Sequence, residues 1–207
     1  MWKQREHVCI IGQTGSGKTY LENRLLKLRD HVIFFRTKAE DPADDPMDRD
    51  WRRVRTVKEI HPRYPYWLLD PAYEEQHKQG MLLIHKARME RNWTIAIDEL
   101  FAATDHHVNL EEPINWALTQ GRSGGITLVC GMQRPARISR FALSEATHVF
   151  CFPIEGRDAQ DILYKSVTPR FKEALPRLDW RRHQFAYYDR HDRRLLISEA
   201  GAVEKFM

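Results

Sequence analysis

The chain has 207 residues, 42% apolar and 30% charged, with a formal net charge of +4. That suffices for one sizeable α/β core and predicts a single domain over residues 1–207. The apolar runs are too short to span a bilayer and the start, MWKQREH, has no apolar signal segment, so a soluble cytoplasmic protein is expected. The mild basic bias is compatible with a nucleic-acid partner without establishing one.

In chain order, Val8–Ile11 reads as a buried strand and Thr19–Leu28 as a helix with apolar residues at helical spacing. Between them lies Gly12-Gln13-Thr14-Gly15-Ser16-Gly17-Lys18-Thr19, which satisfies G-x-x-x-x-G-K-[ST]. Its glycines let successive N–H groups turn inward onto phosphate oxygens, and the helix start adds its positive dipole end. Lys18 is placed to reach the β- and γ-phosphates and Thr19 to ligate Mg²⁺, so a nucleoside triphosphate site is implied. Val32–Phe35 is the next strand, and the acidic segment Glu40–Asp50 reads as a solvated loop. A strand at Tyr66–Leu69 and a helix at Ala72–Arg91 follow.

Thr94–Ile97 is a strand ending in Asp98-Glu99, the pattern of a Walker B site. There Asp98 would hold the Mg²⁺ shell, and Glu99 would orient and deprotonate a water for in-line attack. Asp105-His106-His107 lacks a third ligand at metal spacing. After a helix at Pro113–Gln120 come Gly121-Arg122-Ser123-Gly124-Gly125, a strand at Ile126–Cys130, and Gln133-Arg134-Pro135 at its tip. The last parallel strand is His148–Phe152, followed by a helix at Arg157–Lys165 and a terminal hairpin of Gln184–Tyr188 with Leu195–Ser198. The three cysteines, Cys9, Cys130 and Cys151, sit in strand-like runs as small buried hydrophobes, and the six tryptophans read as core and interface residues.

The order of phosphate loop, Asp-Glu strand, glycine-flanked arginine and Gln-Arg-Pro strand tip resembles the FtsK–HerA superfamily of DNA-translocating ATPases. The resemblance covers about residues 8–152 and leaves 153–207 as a C-terminal extension. It implies a three-layer P-loop NTPase of the RecA/ASCE kind, with a mostly parallel central sheet of strand order 5-1-4-3-2 plus the C-terminal β-hairpin. It further implies ATP and Mg²⁺ as ligands, Gln133 as a polar sensor, and Arg122 as an arginine finger acting on a neighbouring subunit. The implied partners are double-stranded DNA and further copies of the chain, in a ring expected to be hexameric. Arg134, Arg137 and Arg140 either face a DNA channel or form a solvated or intersubunit face. The short length points to the genome-packaging ATPases of tailless icosahedral viruses with an internal membrane. Capsid vertex or portal proteins then become candidate partners, in the host cytoplasm or with the virion. A HerA-like cellular translocase or helicase, a nucleoside or nucleotide kinase, and a nucleotide-gated assembly module are the alternatives.

Overall fold

The computed structural model describes residues 2–37, 50–133 and 140–202, the side chain of Arg140 excepted. The N-terminal half contains β1 (Val8–Ile11), α1 (Lys18–Leu26), β2 (Val32–Phe35), β3 (Arg52–Val54), β4 (Tyr66–Leu69), α2 (Gln76–Glu90) and β5 (Thr94–Ile97). The remainder contains α3 (Leu100–Thr104), α4 (Glu111–Thr119), β6 (Thr127–Met132), α5 (Arg140–Glu145), β7 (His148–Cys151), α6 (Arg157–Ser166), α7 (Phe171–Ala174), β8 (Gln184–Asp189) and β9 (Arg194–Glu199).

Among the described residues all strands join one sheet in the order β3-β4-β2-β5-β6-β1-β7-β8-β9. The full order differs from the expected 5-1-4-3-2, which is matched only by the segment β7-β1-β6-β5-β2 when β3 and β4 are left out of the count. The sheet then extends past both ends of that five-strand core, by β4 and β3 on one side and by β8 and β9 on the other. Pairing is parallel from β3 through to β7, whereas β7–β8 and β8–β9 are antiparallel. The terminal hairpin is therefore part of the sheet rather than an appendage.

β1, β2, β5 and β7 are fully buried runs, as expected for parallel strands covered on both faces. Alternation divides them between two cores. Cys9, Ile11, Ile33 and Ile95 face a core filled from α2, α4, α6 and α7 by Leu83, Ala87, Ile114, Leu118, Leu163 and Phe171. Val8, Ile10, Val32 and Phe34 face a smaller one closed by Leu21, Leu25 and Leu26 of α1. The expected three layers follow from this split.

The expected helix at Ala72–Arg91 begins as a 3₁₀ turn at Tyr73–Glu75 and becomes α-helical at Gln76. β3 was not anticipated. Its sequence is Arg-Arg-Val, and only Val54 is buried, the charged pattern of a protected sheet edge. The cysteines are free and buried. Trp51, Trp67 and Trp93 are core residues, whereas Trp180 is 67% exposed. Among the described residues no helix is long and apolar enough to cross a membrane. Residues 40–49 of the acidic segment, and Arg134 and Arg137, lie outside the described residues; Asp50 pairs with Lys27 at 3.1 Å.

Candidate nucleotide site

The loop between β1 and α1 is pinned to β6 at its start, where Gly12 N–H donates to the Met132 carbonyl at 3.0 Å. It ends at Gly17, whose φ of +94° is the left-handed conformation that favours glycine. No side chain caps α1, so its first-turn N–H groups stay available to an anion. The Ser16 hydroxyl oxygen is buried with no hydrogen-bond partner among the described residues.

Lys18, 7% exposed, extends its Nζ to 3.5 Å from the Asp98 carbonyl across the tips of β1 and β5. The Asp98 carboxylate is organised by three donors on Oδ1: Thr37 N–H at 3.0 Å, the Thr37 hydroxyl at 2.7 Å and Glu99 N–H at 2.8 Å. Oδ2 keeps its acceptor capacity. Removal from water pushes the Asp98 pKa up, against the opposing pull of these bonds and of Lys18. Thr19 and Asp98 offer a hydroxyl and a carboxylate, hard oxygen donors of the kind Mg²⁺ takes, with phosphate and water completing its shell. The donor set therefore fits that ion.

Glu99 is 4% exposed, and its Oε1 accepts from Gln133 N–H at 3.4 Å. Gln133 follows β6 and lines the same groove as Lys18 and Thr19. The close approach of these strands depends on Gly131, where an added Cβ would collide with the Asp98 carbonyl.

Arg122 is not part of this cluster. It lies in a 3₁₀ turn, Gly121–Gly124, before β6, while Gln133 follows that strand's end. Six residues of strand put roughly 20 Å between the two ends. Arg122 Nη2 donates to the Glu145 carbonyl at 2.5 Å, and its Nε is buried without a partner among the described residues. His7 lies close by, accepting from Leu128 N–H on Nδ1 at 3.0 Å and donating from Nε2 to the Leu118 carbonyl at 3.0 Å. Burial first, and then the Arg122 charge, lower the His7 pKa to about 4, so the ring is neutral at pH 7.

Two groups at the site carry no sequence signal. Thr37 follows β2, in register only after folding, and His183 donates from Nδ1 to the Ser16 carbonyl at 3.1 Å from 167 positions away. Elsewhere, His107 stacks on Tyr73 with ring centroids 3.6 Å apart, and Asp105 accepts from His106 N–H.

No protein-family model matches the chain. It is 25% identical over 168 residues to the DNA packaging ATPase P9 of Enterobacteria phage PRD1, an alignment covering 78% of this chain and 70% of that protein. The genome packaging NTPase B204 of Sulfolobus turreted icosahedral virus 2, solved with sulfate, superimposes with a TM-score of 0.77. That match covers 96% of this chain and 98% of B204 at 16% identity. The fold is that of B204. B204 has also been solved with AMP, AMPPCP and ATP-gammaS. The pCW3 conjugation coupling protein TcpA matches at a TM-score of 0.61 and 15% identity, over 99% of this chain and 63% of TcpA. The FtsK–HerA resemblance read from the sequence is borne out by this agreement of a sequence match with fold matches.

Proposed function

We propose that the chain is an ATP-driven double-stranded DNA translocase that packages a viral genome, working as one ATPase domain within a homo-oligomeric ring, expected to be a hexamer. The observation that carries this reading is the position of β6 between β1 and β5. One strand thereby holds Gln133 beside Lys18 and Glu99 at one end and carries Arg122 at the other.

The triphosphate rests on Gly12–Thr19, with α1 N–H groups and Lys18 on its oxygens. Thr19 and Asp98 would hold Mg²⁺, which would supply charge neutralisation at the phosphate oxygens. Glu99, buried and held beside the Gln133 amide, takes the proton of the attacking water. Arg122 is too far to serve its own site, so it serves the next copy's γ-phosphate. The Gln133–Glu99 contact ties the phosphate state to the β6 tip. Docking of the ring at a capsid vertex or portal in the host cytoplasm completes the proposal.

The test is phosphate release with and without long duplex DNA. Duplex DNA is expected to stimulate the wild type, and Glu99→Gln to lose about 100-fold or more while still binding ATP. Equal turnover in the two proteins would refute the mechanism, and a phosphorylated nucleoside product in place of phosphate would mark a kinase.

A further inference from the structure

The terminal hairpin has no place in the mechanism above, yet it folds against the phosphate loop. A groove of about 780 Å³ is lined by Lys18 and Gln133, by Thr19 and Tyr20 on the first turn of α1, and by Arg182 and Glu199. Its lining is of two kinds. Lys18 and Gln133 bring the amine and amide suited to phosphate. In the rest, the Tyr20 ring is 52% exposed and Arg182 Nη2 pairs with Glu199 Oε1. Gln184 Nε2 donates to that same oxygen at 3.3 Å, so Oε2 of Glu199 keeps acceptor capacity. The neighbouring Ala200 and Gly201 leave room beside them. His183 fixes this wall to the loop through Ser16, and its Cβ would stand 3.2 Å from a Cβ at Gly17.

We propose that this wall is the nucleoside subsite of the triphosphate site. The base lies across Tyr20 and the Arg182 guanidinium, and its exocyclic amino group donates to Glu199. This rests on the reading that phosphates occupy Gly12–Thr19. A triphosphate with its terminal group at Lys18 and Gln133 must lead its ribose past Thr19 and Tyr20, towards the hairpin. Aromatic and guanidinium faces both stack on bases, and a carboxylate acceptor selects a base bearing an amino donor. The hollow of about 400 Å³ beside Trp180 and Pro153 is the competing location; it touches loop residues Gln13–Ser16 but neither Lys18 nor Thr19.

Titration calorimetry with ATP and with inorganic tripolyphosphate tests the subsite. Tyr20 and Arg182 are exposed, so their alanine variants should keep the wild-type melting temperature. Tyr20→Ala and Arg182→Ala are expected to weaken ATP binding at least about fivefold and to leave tripolyphosphate binding unchanged. Glu199→Gln should narrow the preference for ATP over ITP, which carries an oxo group in place of the amino group. Unchanged ATP affinity in both alanine variants, or a loss confined to Trp180→Ala, would overturn the subsite. Lys18→Ala should lose both probes. If tripolyphosphate binds it as well as it binds the wild type, the phosphate-loop reading fails and the subsite falls with it.

Discussion

The two ends of β6 contrast within one chain. At its C-terminal end, charged and polar groups from four strand tips converge: Lys18 after β1, Thr37 after β2, Asp98 and Glu99 after β5, and Gln133 after β6. At its N-terminal end, Arg122 is tied to the Glu145 carbonyl and forms no ion pair among the described residues. The first end is a pocket furnished by a single chain. The second is one cation held on a 3₁₀ turn, the group that the proposed function assigns to another copy's pocket. The difference teaches that residues flanking one strand can be separated by its whole length, so that only one of its ends furnishes the phosphate loop of its own chain.

Removing the cation should break the contrast most sharply. Arg122→Ala is expected to lower ring turnover by on the order of 10³-fold or more, while calorimetric ATP affinity of the isolated chain stays unchanged. A large loss of affinity in the isolated chain would instead place Arg122 in its own pocket.

Packing at the convergent end should give the next effect. Gly131→Ala drives a methyl group into the Asp98 carbonyl and should destabilise the fold by about 1–3 kcal/mol, read by denaturant unfolding. A similar loss is expected at the other end on acidification. His7 is 1% exposed and its pKa falls from 6.5 to about 4 on folding. The unfolded chain therefore binds the proton first as pH drops. Stability is complete above pH 6.5, declines from there to about pH 4, and loses on the order of 3 kcal/mol. His7→Gln should flatten that decline in a pH series of unfolding curves.

A finer test concerns Thr37. Thr37→Val removes the hydroxyl donor to Asp98, one of the bonds that oppose its burial-raised pKa. The acid limb of the hydrolysis profile should move to higher pH, with little change in the plateau rate. An unmoved limb would show that Thr37 does not set the protonation of Asp98.

The five central strands were legible in the sequence because double-sided burial demands continuous apolar runs such as VCII, VIFF and TIAI. The loop and the Asp98-Glu99 pair were legible because they are local motifs bound to a strand end. β3 was not, since a charged sheet edge shows no apolar period. Thr37 and His183 were invisible for another reason. A threonine after β2 meets Asp98 only once β2 and β5 pair, and His183 meets Ser16 only once β8 joins the sheet. The role proposed for Arg122 comes from the resemblance alone. Its separation from Gln133 was already implied by the strand read between them.

The central claim, that each site is completed by a neighbour, is tested most directly by mixing two inactive proteins. Lys18→Ala retains Arg122 but has no working pocket, whereas Arg122→Ala retains the pocket but has no cation to lend. Assembled together on duplex DNA, they should recover ATP hydrolysis that neither shows alone, because intact pockets then meet intact arginines across subunit boundaries. Mixed assemblies as inactive as either parent, or an Arg122→Ala protein that hydrolyses ATP at the wild-type rate, would contradict the account.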